Sequence, residues 1–249
     1  MGKVYLIGAG PGAADLITLR GARLLGQADV VLYDALVQPE LLAMAHSEAR
    51  MVTVGKRCKE ISTNQHFINR SLVEAAQHHE LVVRLKGGDP MIFGRAQEEI
   101  AALQAAGIEY EIVPGITSAL AASAALGVSL TQRGRSRNVV FVTPRVGDSE
   151  AVSDWAQSVL AADTAVLYMA AGLADEIPAV LMQRGLSSDT PAAIISNVSL
   201  PNMKTIHTTL AQLPDVASGV GVPALIVLGE VLRVQLPQSG LESAERLLA

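Results

Sequence analysis

The sequence predicts an α/β protein built of two α/β domains, with a mostly parallel sheet in the N-terminal domain and a mixed sheet in the C-terminal one. Three observations predict it. Short apolar runs alternate with longer helical patterns through the first half of the 249 residues. Almost every run stops at once in Gly, Asp or Pro. Beyond Pro114 the gaps between runs shorten, which allows antiparallel neighbours.

The first run is VYLIG (4–8), followed by a helical pattern near 18–28. DVVLYD (29–34) leads to a helix near 38–47, and RMVTVG (50–55) to another near 64–78. LVVRLKG (81–87) precedes a helix at 95–106, where Ile100, Leu103 and Ala106 recur at helical spacing. YEIVPG (110–115) closes the series, and strand–helix alternation of this kind makes parallel βαβ units. TSALAASAALGVSL then reads as a small-residue helix. After it come NVVFVT (138–143), AVLYMA (165–170), AAIIS (192–196), KTIHTT (204–209) and ALIVLG (224–229). The close succession of AAIIS and KTIHTT points to an antiparallel pair. The expected domains are 1–118 and 119–240, with a tail at 241–249.

Composition narrows the function. Half the chain is apolar and 17% is charged, so the whole of it should fold. The opening MGKVYLIGAGPGAADL has an apolar run broken by Gly8, Gly10 and Pro11, which is a strand and loop rather than a signal peptide. No apolar stretch is long enough to cross a bilayer, and no membrane partner is expected. The single cysteine, Cys58, excludes an internal disulfide and fits a reducing cytoplasm, the expected location. A net charge of −5 with few aromatics argues against nucleic acid as a partner. The positive charge is nevertheless clustered. Ile112 to Gly147 holds no acid but carries Arg133, Arg135, Arg137 and Arg145, and Lys56, Arg57 and Lys59 form a second knot. Solvated surface explains many such clusters, but here a small polyanionic ligand is also in view. The five histidines are scattered and no Cys/His spacing resembles a metal site, so no metal is expected.

Three glycine- or proline-rich loops end strands. Gly8-Ala9-Gly10-Pro11-Gly12-Ala13 satisfies the dinucleotide pattern literally, with Asp34 placed where a ribose-binding acid could lie. A nicotinamide dehydrogenase and an ordinary Rossmann-type methyltransferase are both open on that evidence, as is a plain tight turn. Pro11 has no N–H to offer a pyrophosphate and counts against a dinucleotide. In RLKGGDPMIFGR (84–95), Gly87 and Gly88 allow close backbone approach to a ligand, and Asp89 offers only acceptors. PGITS (114–118) ends another strand with Pro-Gly and two hydroxyls. Such loops at three strand ends suit one shared pocket for a small, polar, cationic ligand.

GAGPG, YD at 33–34, VGK at 54–56, RLKGGDPMIFGR and VPGITS, in this order and spacing, resemble the tetrapyrrole methylases. Within that superfamily, GGDPMIFGRAQEE is similar to the uroporphyrinogen-III C-methyltransferases, which form precorrin-2, and the likeness covers essentially the whole chain. The resemblance implies S-adenosylmethionine held in a cleft between two α/β domains. Its contacts would come from Pro11, Gly87, Gly88, Asp89 and Ile92, from Thr117 and Ser118, and from Met169, Val198 and Ala224. It implies methylation of uroporphyrinogen III at C2 and C7, with Asp34 as proton acceptor, Lys56 as proton donor, and Arg95 and Glu98 handling substrate. Arg95 and Arg133 would meet the substrate carboxylates. A homodimer is implied as well.

The sequence departs from the family pattern at Ala96 and Gln97 (two glycines in FGRGGEE), at Gln132 (a histidine), at Pro144 and at Val198 (a glycine). A methylase of the same fold acting on another precorrin, and a non-catalytic paralogue that binds cofactor or tetrapyrrole, are therefore the alternatives. No further nucleotide-binding module is read in the chain, so oxidation and ferrochelation of the product are expected of other proteins.

Overall fold

The computed structural model describes residues 1–55, 65–146 and 153–235, which fall in two compact units. One comprises Met1–Ala122 with Val198–Pro201; the other runs from Ser123 to Asn197 and onward from Asn202. The expected tail 241–249 lies outside the described residues.

In the first unit, β1 (Lys3–Gly8), β2 (Val30–Tyr33), β3 (Arg50–Thr53), β4 (Leu81–Lys86) and β5 (Tyr110–Val113) form one parallel sheet. Its order is β3-β2-β4-β1-β5. The helices are α1 (Leu19–Leu25), α2 (Pro39–Leu42), α3 (Gln65–His78), α4 (Ala96–Ala105) and α5 (Ser118–Leu126), the last spanning the division at Ala122. Alternating side chains serve opposite faces. Val4, Leu6, Val30, Leu32 and Val82 pack with Ile68 and Leu72 of α3 and Ile100 and Leu103 of α4. Ile7, Val31, Val83 and Leu85 pack on the other face with Leu24 and Leu25 of α1 and Leu41 of α2. Burial on both faces explains why these strands read as continuous apolar runs.

Local signals set the helix bounds. Thr18 caps α1 by accepting the Gly21 N–H at 3.1 Å. α3 buries Gln65, Ile68, Leu72 and Ala76, one stripe at helical spacing. α2 is shorter than the 38–47 expected: the Met44 and Ala45 N–H groups bond back three residues to Leu41 and Leu42, and the tightened turn ends the helix.

The sheet order creates the feature that matters for function. The chain leaves β1 for β2 on one side and leaves β4 for β5 on the other, although β1 and β4 are neighbours. Connections diverging from adjacent strands leave a crevice at their carboxyl ends, where open α/β sheets bind ligands.

The second unit holds β6 (Val139–Val142), β7 (Thr164–Leu167), β8 (Pro191–Ser196), β9 (Lys204–Thr209) and β10 (Ala224–Gly229), in the order β6-β7-β10-β8-β9. Only β6 and β7 are parallel; β7–β10, β10–β8 and β8–β9 are antiparallel, so the sheet is mixed as expected. α6 (Trp155–Leu160), α7 (Glu176–Gln183) and α8 (Leu213–Ala217) cover it, burying Ala156, Val159, Ile177, Leu181 and Leu213 against Leu167, Ile194, Ile226 and Leu228. Among the described residues no helix is long and apolar enough to cross a membrane.

Candidate active site

The loops after β1, β4 and β5 meet at the carboxyl edge of the parallel sheet. Gly10 and Gly88 form a two-bond antiparallel bridge, Gly88 N–H to the Gly10 carbonyl at 2.7 Å and Gly10 N–H to the Gly88 carbonyl at 3.2 Å. A Cβ on Gly8 would lie 2.5 Å from Gly115 Cα, and one on Gly115 would lie 2.4 Å from the Gly88 carbonyl oxygen. Backbone therefore touches backbone where these three loops meet, and only glycine permits it. Asp89 ties the same loops together: its carboxylate accepts the Met91 N–H at 2.8 Å and the Gly115 N–H at 2.9 Å. The first loop is braced by the 198–201 segment, where Ser199 Oγ accepts the Ala13 N–H at 2.9 Å and the Leu200 side chain packs beside Gly12. Val198 is buried in this segment.

The residues around Gly88 fit a small cationic ligand with an apolar part. Gly88 sits at φ +70°, and a Cβ there would approach nothing nearer than Thr117 Cα at 4.0 Å. Open space thus faces the glycine on a loop that elsewhere is packed tight. A carboxylate offers about four lone-pair sites, so the half-buried Asp89 still has acceptor capacity beyond its two N–H partners. Thr117 is buried, Ser118 begins α5, and Ile92 and Pro11 are half-buried at the same edge.

Asp34 follows β2 on this edge and is joined to a buried ionic cluster absent from the sequence-level expectations. Arg84 in β4 donates from Nη2 to Asp34 Oδ1 at 2.5 Å and from Nε to Glu99 Oε1 at 3.0 Å. Lys86 Nζ reaches both Glu99 oxygens at 2.9 Å. Burial alone would depress the Arg84 guanidinium, but Asp34 and Glu99 outweigh it and raise its pKa. For Lys86 the balance goes the other way: burial, helped by the Arg84 charge, pushes the ammonium below the ordinary lysine range. The sequence carried a signal for the cluster. Arg84 and Lys86 alternate on one face of a strand that has neighbours on both sides, and Glu99 falls in the buried stripe of α4 with Ala96, Ile100 and Leu103. Charges so placed demand partners.

Arg95 and Glu98 pair with each other on the solvent side of α4, at 2.7 and 2.9 Å. The Arg95 hydrogen bond holds the Glu98 carboxyl below its usual range. Arg95 adopts a left-handed conformation (φ 54°), as does Phe93 (φ 52°). Non-glycine residues there are uncommon and mark constrained sites. The same signature singles out Met169, Asn197 and Ser199, and of these the family resemblance implies a contact only for Met169.

The first unit contains Pro11, Asp34, Gly87, Gly88, Asp89, Ile92, Arg95, Glu98, Thr117, Ser118 and Val198. Met169, exposed after β7, Ala224 at the start of β10, and Arg133, exposed near the Gln132–Ser136 bridge, belong to the second unit. Lys56 lies outside the described residues. Ala96, one of the departures from the pattern, is buried in the core as the first residue of α4, and Gln97 is exposed beside it. Among the described residues no group of His, Cys, Asp or Glu is placed to hold a metal ion.

A parallel α/β sheet with glycine- and proline-rich loops stitched at its carboxyl edge, ionisable side chains beside them, is the arrangement at which open α/β proteins bind small polar molecules. Residues 3–214 match the family of Tetrapyrrole (Corrin/Porphyrin) Methylases, and the chain belongs to that family, as its loop motifs led us to expect. The chain is 46% identical over 230 residues to the siroheme synthase of Zymomonas mobilis and 45% identical over 233 residues to siroheme synthase 1 of Klebsiella pneumoniae. These matches take in 92% and 94% of this chain but 49% and 50% of the relatives, so the chain spans about half the length of the curated proteins it matches. Among solved structures, the uroporphyrin III C-methyl transferase of Thermus thermophilus superposes with a TM-score of 0.82 at 39% identity, over 94% of this chain and 100% of that one. The same Thermus protein is known complexed with S-adenyl homocysteine. Cobalt precorrin-4 methyltransferase also superposes with a TM-score of 0.82, at 30% identity and over 92% of this chain.

Proposed function

We propose that the protein is an S-adenosylmethionine-dependent methyltransferase that methylates uroporphyrinogen III at C2 and C7 to give precorrin-2. The observation that carries this reading is the glycine junction at the carboxyl edge, with Asp34 and the Arg95–Glu98 pair on the same sheet edge. Family membership and the Thermus relative support the choice of chemistry.

When bound, S-adenosylmethionine supplies a methyl group on a sulfonium. The chain's own residues have three tasks. Gly87, Gly88 and Asp89, with Pro11, Ile92, Thr117, Ser118 and Val198, hold the cofactor largely through backbone, Asp89 providing the charge that an ammonium requires. Met169 and Ala224 are assigned to the same cofactor. Arg95 and Arg133 hold substrate carboxylates, which the Arg guanidinium fork suits. For this Arg95 exchanges its Glu98 partner for substrate, and Glu98 keeps it oriented until then. The pyrrole β-carbon is enamine-like and attacks unaided, so positioning supplies most of the rate. A proton must then leave the ring system. Asp34 accepts it as a carboxylate, which balances the methyl gained, and Lys56 is assigned as the proton donor. No metal is needed for this sequence of steps. A homodimer in the cytoplasm belongs to the same reading.

A second reading, methylation of another precorrin, is favoured by the likeness to cobalt precorrin-4 methyltransferase. An anaerobic assay with purified protein, S-adenosylmethionine and fresh uroporphyrinogen III separates the two by product mass. Two added methyl groups support the first reading. No transfer to uroporphyrinogen III, with transfer to a more methylated precorrin, supports the second. Cofactor binding without transfer to either leaves only a binding protein.

A further inference from the structure

Arg84, Lys86 and Glu99 have side chains only 2%, 3% and 1% exposed, and none of them has a task in the steps above. Stability is a poor reason to keep them, because well-packed apolar residues commonly replace buried ion pairs without loss. Their arrangement has a direction instead. Both Glu99 oxygens are bound by Lys86, which fixes the carboxylate in rotation. Gln65 adds a long contact to the same carboxylate from α3, at 3.5 Å. Glu99 in turn fixes Arg84 through Nε, and the Leu85 carbonyl takes Nη1 at 3.1 Å. What remains is Nη2, which points out of the core to Asp34, the one member with appreciable exposure at 28%. The Asp34 backbone N–H shares the Leu85 carbonyl at 3.3 Å, so the loop is held by the same strand as its side chain.

We propose that Arg84, held in place by Glu99 and Lys86, is a positioning residue that sets the Asp34 carboxylate in the orientation needed to accept the substrate proton. The inference rests on Asp34 being the proton acceptor. Two cations and two carboxylates leave the cluster neutral, so the arrangement orients Asp34 without adding net charge beneath the substrate. It also links the stretches given to catalysis and binding: Asp34, the Gly87–Asp89 loop that follows Lys86, and the helix whose outer face carries Glu98.

The test uses Arg84→Lys, which keeps the cation and one partner but has no fork to span Asp34 and Glu99 together. Turnover of uroporphyrinogen III should fall by about 100-fold, the scale of a misplaced catalytic group. KM and the calorimetric affinity for S-adenosylmethionine should stay within about threefold, as they should when binding is untouched. Introduced into Asp34→Ala, the same change should lower the residual transfer of labelled methyl hardly further, because nothing remains to be positioned. Wild-type turnover by Arg84→Lys, or an equal fall with and without Asp34, would overturn the inference and leave Arg84 a structural residue. Wild-type turnover by Asp34→Ala would overturn the Asp34 reading and the inference together. Loss in Asp34→Ala beside an unaffected Arg84→Lys overturns the inference alone.

Discussion

At the scale of single residues, Gly88 and Asp89 show how one loop serves both fold and ligand. Gly88→Ala creates no clash, since its Cβ would stand 4.0 Å from Thr117, but it forces an L-residue to φ +70°. That strain costs about 1–2 kcal/mol, and the new methyl enters the space assigned to cofactor. Denaturant unfolding should therefore show a modest loss, while calorimetry shows a larger weakening of S-adenosylmethionine binding. A stability loss with unchanged binding would remove Gly88 from the cofactor site. Asp89→Ala leaves the part-buried Gly115 N–H without its acceptor, at about 1 kcal/mol, while water replaces the acceptor of the exposed Met91 N–H. Asp89→Asn should recover part of that stability, because one amide oxygen still accepts, and yet bind cofactor poorly. Equal binding by Asn would mean that the charge is unused. The special backbone at 87–90 was legible in the sequence because glycine and proline declare their conformations locally. For the Arg84–Glu99 contact the sequence signals only that these charges need partners, and which strand residue meets which helix residue is fixed by packing that only the fold reveals.

At the scale of elements, α4 separates two kinds of charge. Its buried face carries Glu99 into the core, and its solvent face carries Glu98 to Arg95. Glu98 lies below its ordinary pKa of 4.5 because Arg95 binds the ionised form. The unfolded chain then takes up that proton more readily, so the pair stabilises the fold at neutral pH and the contribution vanishes as pH falls through the depressed value. With both side chains about half exposed, it amounts to less than about 1 kcal/mol. Thermal melting of Glu98→Gln should show a small deficit at neutral pH that closes in acid. A deficit that widens in acid contradicts the assignment. The strands and helices themselves were largely readable. Periodicity identified β1, β4 and α3, and the close spacing of AAIIS and KTIHTT anticipated the antiparallel β8–β9 pair. Their order in each sheet was not readable, because placing β4 beside β1 rather than β3 depends on long-range packing.

At the scale of the whole molecule, one unit presents a parallel sheet that concentrates loops at one edge, and the other holds a mixed sheet together with Met169, Ala224 and Arg133, to which the proposal assigns ligand contacts. The family was readable because its loop motifs are long and ordered along the chain, and residues 3–214 match it. Substrate choice was less readable, for this chain differs from the common pattern at positions such as Gln132 and Val198. Arg95→Ala tests that choice. It should raise KM for uroporphyrinogen III by about tenfold or more through loss of a charge-assisted contact, while S-adenosylmethionine binding stays intact. An unchanged KM would place the substrate carboxylates elsewhere.

The most direct test of the account is the mass of the tetrapyrrole formed anaerobically from uroporphyrinogen III by the wild-type protein and by Asp34→Ala. The account predicts a gain of two methyl groups with the wild type, and a loss of at least about 100-fold in rate with Asp34→Ala, the scale for removal of a general base. Unmethylated substrate from a wild-type protein that still binds S-adenosylmethionine, or full turnover by Asp34→Ala, would contradict it.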